Sequence, residues 1–148
     1  MTGKADFTPE EWQVVLEGPP SAGMVVVTAQ RGGTFRETIA MAKAYVEARK
    51  QHGQSQLLDE IVSAKPEIDH TRYHSVEELK DEGLRHLSDA VALLERTATA
   101  EELDEYRRFV LTLSDEVAKA HREHGDDVSP AERAAIEEIA ASVGAAAP

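Results

Sequence analysis

The chain has no cysteine, which excludes disulfides, thiolate metal sites and cysteine nucleophiles. Aromatic residues are scarce, at 5%, so the core is expected to be aliphatic, with Ala letting helices approach closely. No window comes near the roughly 18 uncharged apolar residues of a membrane span. The opening residues Met1–Asp6 carry no apolar run of the signal-peptide kind, and a cytoplasmic location is the default expectation. A phosphate loop, a Rossmann fingerprint, a Gly-x-Ser-x-Gly elbow and a His-Glu-x-x-His pair are all missing.

Charge of one sign is in excess. The net charge is −12, and it is unevenly spread. Residues 1–74 hold ten acids against eight Lys/Arg, and residues 75–148 hold eighteen against eight. Such a chain repels nucleic acid and anionic lipid over long range, so neither is expected as a partner. The acidic half reads as a solvated surface, with a docking face for a basic partner as the sharper reading. At 148 residues the chain fits a single helical domain, 1–148, large enough to bury a real core.

Helix starts dominate what is present. A Ser or Thr precedes a Glu by three residues at Thr8/Glu11, Thr34/Glu37, Ser75/Glu78, Thr99/Glu102 and Ser129/Glu132. In such a box the hydroxyl accepts from a free backbone N–H and the Glu reaches back to the cap's own N–H. Pro9 and Pro130 stand at the first helical position, where a missing donor costs nothing. Phe7, just before the first box, is placed to staple over the opening turn.

Apolar spacing then predicts an all-α bundle of about six or seven helices around a long antiparallel hairpin, 75–124. Its first arm carries Val76, Leu79, Leu84, Leu87, Val91 and Leu94 on one face. The second carries Leu103, Tyr106, Val110, Leu113, Val117 and Ala120. With Arg96–Ala100 alone between them, the arms are expected to be neighbours. A first helix over 9–17 points Trp12, Val15 and Leu16 inward, and Gly18-Pro19-Pro20 reads as its stop. Residues 22–29 form an apolar β-branched run that fits a buried helix better than a strand, because nothing else in the chain alternates to pair with it. A helix from Phe35 to about His52 sets Phe35, Ile39, Ala42 and Val46 on one edge, with Thr38, Met41 and Tyr45 beside them. Gln56–Ala64 is a short helix buried through Leu57, Leu58, Ile61 and Val62. Residues 67–74 read as a connector, Pro130–Val143 as the last helix, and 144–148 as a frayed tail.

Candidate chemistry is confined to histidines and acids. His121 and His124 share a helical face and stand beside Asp126 and Asp127, a set that suits a divalent metal. The alternative is imidazoles placed favourably near a helix C-terminus before Gly125. His70 and His74, with Asp69 and Tyr73, make a looser cluster. The acid pairs Glu77-Glu78, Glu101-Glu102 and Glu137-Glu138 suit helix dipoles or solvent better than acid–base work.

Residues 117–143 resemble the closing helix–turn–helix of the tellurite-resistance TerB-like family, through Val128, Ser129 and Glu132 before an apolar helix. A fainter echo at Val27–Lys43 sets Thr34 and Glu37 in the same places. The resemblance implies an all-helical fold with a pseudo-repeat, a role in stress response, and metal binding. Where the family has a turn Asp and Gly, this chain has Gly125-Asp126 and Gln30-Arg31. The chain as a whole is similar to small all-helical bacterial proteins.

The expected function is a small acidic interaction module without catalysis, binding a protein partner or a second copy as a homodimer. The alternatives are a metal-responsive TerB-like stress protein using His121, His124, Asp126 and Asp127, and a small-ligand binder or enzyme with a pocket between helices. Apart from a divalent metal, no cofactor is expected.

Overall fold

Helix α1 (Pro9–Thr28) continues through the Gly18-Pro19-Pro20 triplet, with both prolines inside it. The sequence reads that triplet as a stop, and the structure corrects this. Proline breaks a helix interior because it lacks the N–H that serves the carbonyl four residues back. Here the carbonyl orphaned by Pro19 is that of Val15, and the Tyr106 hydroxyl donates to it at 2.8 Å. Gly18 makes room for this donor: a Cβ at that position would lie 2.0 Å from the Tyr106 hydroxyl oxygen. The apolar run after the prolines is therefore the second half of one helix, and it is buried from Ala22 to Val27.

In the computed structural model the described residues are 3–28, 34–50, 56–64, 75–122 and 130–144. They form a short 3-10 turn (Lys4–Asp6) and the helices α1, α2 (Thr34–Lys50), α3 (Gln56–Ser63), α4 (Val76–Thr97), α5 (Ala100–Arg122) and α6 (Pro130–Val143). There is no strand among them, and the helices pack on one another as an all-α bundle. No helix among the described residues is long and apolar enough to cross a membrane.

The capping boxes at Thr8/Glu11 and Thr99/Glu102 are complete in both directions. At Ser75 the hydroxyl accepts from the Glu78 N–H. The boxes at Thr34/Glu37 and Ser129/Glu132 lie outside the described side chains. Phe7 is buried against Trp12, ring centroids 5.6 Å apart, as a staple requires.

The hairpin arms α4 and α5 turn over at Ala98-Thr99, and both apolar stripes are inward wherever they are described, Leu84 partly so. The arms meet each other sparingly, however. Helix α1 packs against both far more extensively, so it is the element the core is assembled on. Small residues permit this. Gly18 faces Ala90, while Gly83 faces Val25 and the Ser21 carbonyl, so α1 runs antiparallel to α4. Val15 and Gly18 meet Tyr106, and Gly23 meets Leu113, so α1 runs parallel to α5. Two guanidinium groups tie down the shorter helices: Arg107 donates to the Val143 carbonyl at the end of α6, and Arg49 to the Val62 carbonyl near the end of α3.

Met41, Ala44, Tyr45 and Ala48 form the inward stripe of α2. The sequence reading set the leading edge a step round the helix, at Ile39, Ala42 and Val46, and those three are exposed. The core is chiefly aliphatic, yet Tyr45 and Tyr106 are its largest fully buried side chains. Burial pushes both phenols above their ordinary range. Arg49 opposes this at Tyr45, and Tyr45 adds to it at Tyr106. An acid whose folded pKa is raised holds its proton longer folded than unfolded. The stability it contributes is present below pH about 10 and is lost as pH rises beyond that. Phenolate absorbance from these two tyrosines is expected to appear only together with loss of the helical circular-dichroism signal. Full ionisation of all three tyrosines with helix intact would contradict their burial.

Candidate protein-interaction groove

Helix α2 has more apolar surface than the core covers. Ile39 and Val46, at 41% and 42% exposure, are its exposed large hydrophobic residues and stand seven positions apart on one face. They border an open groove of about 1110 Å³ between α2 and α5. Ala44, Ala48, Leu58 and Phe109 form its floor, and all four are buried. Phe109 is held by an edge-on contact with Tyr45, ring centroids 5.2 Å apart. Charges line the two edges: Lys43, Glu47 and Lys50 on α2, and Glu105, Arg108 and Glu116 on α5. An apolar floor with a polar rim is the anatomy of a protein interface. A second, shallower groove of about 640 Å³ lies between α1 and α3, over Trp12 and Leu16. Its Glu60 is engaged by the Lys4 backbone N–H and the Gln56 amide.

The histidine and acid candidates divide by position. The His121 side chain, His124, Asp126 and Asp127 lie outside the described residues, as do His52, His70 and His74 with Asp69 and Tyr73. Among the described residues no three His, Cys, Asp or Glu side chains are grouped so as to hold a metal ion. His86 meets the Ser21 hydroxyl at 3.4 Å. Neither residue lines either groove. The paired acids serve structure where they are described: Glu102 closes the α5 capping box, and Glu138 pairs with Lys80 across α6 and α4 at 2.9 Å.

The groove was within reach of the sequence. Helix α2 carries two adjacent apolar stripes where one suffices for a surface helix, and the surplus stripe is the signal. Compared with known proteins, the chain matches no family model, no curated protein and no solved structure.

Proposed function

We propose that this protein is an interaction module that works by binding rather than by chemistry, with the α2–α5 groove as its docking surface. The observation that carries the reading is the exposure of Ile39 and Val46 beside a floor of buried apolar side chains. Scattered exposed apolar residues need no explanation, but two on one face bordering a concave apolar surface mark a place where another surface seats. A photo-crosslinking amino acid at position 46 tests it in the cells that make the protein. Specific protein adducts are expected there, and none from the same group placed at Asp89, an exposed position on α4. Equal adduct yields at the two positions would sink the reading.

A further inference from the structure

We infer that the groove is filled by a second copy of this chain, related by a two-fold axis running along the groove; this rests on the docking reading above. Helices α2 and α5 are antiparallel and in fixed register. Met41 and Leu113 both border Gly23, and Tyr45 stacks edge-on with Phe109. Continuing that register, Glu47 lies within one residue of the level of Arg108, and Lys50 within one residue of that of Glu105. Lys43 lies level with Thr112, about one turn from Glu116. The α2 edge therefore reads plus, minus, plus through Lys43, Glu47 and Lys50. The α5 edge reads plus and minus through Arg108 and Glu105 opposite Glu47 and Lys50, with Glu116 about one turn beyond the level of Lys43.

A two-fold axis along the groove sets α2 of one copy over α5 of the other without changing level. Lys50 then faces Glu105 of the second copy and Glu47 faces Arg108, each twice by symmetry, while Lys43 comes level with Thr112. An axis across the groove would instead set α2 on α2, with Lys43 against Lys50 and Glu47 against itself. The rim as a whole balances three basic against three acidic side chains on a chain of net charge −12. It therefore offers a basic partner no net attraction, while a second copy meets opposite charge at the levels of Glu47 and Lys50.

The contact is small. Residues 39–50 give a face about 18 Å long, and two helices give a width of about 20 Å. That projects to roughly 360 Å², under half of the roughly 800 Å² per partner typical of a stable complex. The pair is therefore weak and reversible.

Sedimentation equilibrium of the full chain from about 5 µM to about 1 mM, in about 0.15 M salt to screen the net charge, tests this. The mass is expected to rise from 16.2 kDa toward twice that value. A mass fixed at 16.2 kDa throughout overturns the inference. The charge ladder has its own test. Glu47→Arg and Arg108→Glu each set like charges against each other twice, so each variant alone is expected to stay monomeric where the parent associates. An equimolar mixture of the two restores both attractive pairs and is expected to associate. Association of either single variant as strong as the parent's, or a mixture that stays monomeric, overturns the arrangement. Circular-dichroism melts unchanged by the two exposed substitutions show that folding is not the cause. The crosslinking experiment separates the two levels of the argument. Adducts at position 46 with another protein but never with a second copy overturn this inference and leave the docking surface standing. Absence of any specific adduct removes both.

Discussion

Replacing Gly18 by Ala is expected to destabilise the protein by about 2–4 kcal/mol, and most of that loss should vanish when Tyr106 is Phe. The new methyl would sit 2.0 Å from the Tyr106 hydroxyl oxygen and 3.2 Å from the ring carbon that bears it. Tyr106 is fully buried and has nowhere to withdraw. Overpacking of this kind costs about 1–3 kcal/mol. If the ring moves, the hydrogen bond to the Val15 carbonyl breaks as well, leaving a buried acceptor unsatisfied at a further 1–3 kcal/mol or so. The better helix propensity of Ala returns only about 1 kcal/mol. Tyr106→Phe alone removes the donor and should cost about 1–3 kcal/mol. In the double variant the clashing oxygen is gone, so the methyl needs only a few tenths of an ångström from the ring. Chemical denaturation of the four proteins closes the cycle, with a favourable coupling of about 2 kcal/mol expected. Additivity within about 0.5 kcal/mol would show that Gly18 and Tyr106 do not act together. A third change isolates the backbone part. Pro19→Ala restores an N–H opposite the Val15 carbonyl, so it should recover about 1 kcal/mol in the Tyr106→Phe background and little in the parent, where that acceptor is already served.

This one contact explains most of what the sequence concealed. Capping boxes and stripes are local, and they placed α3, α4, α5 and α6 within a residue or two, because each such signal is read within a few turns of chain. The Gly18-Pro19-Pro20 triplet is local too, and by local rules it ends a helix. At Pro19 it fails to do so because Tyr106, 91 residues beyond Val15, supplies the donor that the Val15 carbonyl lacks, and no window of the sequence contains both groups. Once α1 is split, the chain's most connected element disappears and the two hairpin arms look like natural partners. The phase of α2 was obscured differently. Its two apolar stripes lie about 140° apart, and composition cannot say which one the core takes. Tyr45 looks less core-like than Ile39 or Val46, yet Tyr45 is buried and the aliphatic pair is exposed. The surplus stripe, read as core, is the one on which the proposed docking surface rests.

Leu87→Ala and Leu113→Ala test the two sides of α1, and they should not cost the same. Both side chains are fully buried, and cutting such a Leu to Ala costs roughly 2–5 kcal/mol, with the spread set by how far the site can close up. Leu87 lies on α4 between Gly83, which meets Val25 and the Ser21 carbonyl, and Ala90, which meets Gly18. Along that stretch α1 presents Ser21, Ala22 and Val25, short or stiff side chains ill suited to refilling a space. The cavity should stay open, and the loss is expected at about 4–5 kcal/mol. For a chain of this size that corresponds to a fall in melting temperature of about 10–15 °C. Leu113 stands at the junction of α5, α1 and α2, where Gly23 presents no side chain and Met41 borders the same space. Methionine is unbranched and refills irregular gaps readily. Its thioether should move in, and the loss is expected at about 2–3 kcal/mol. Thermal and denaturant unfolding of both variants decides this. Equal losses would mean that Met41 stays where it is, and a loss below about 1 kcal/mol at Leu87 would mean that the face of α4 turned toward α1 is not core at all. Ile39→Ala serves as the reference: on an exposed edge, with 41% of its surface open, it should change stability by less than about 0.5 kcal/mol.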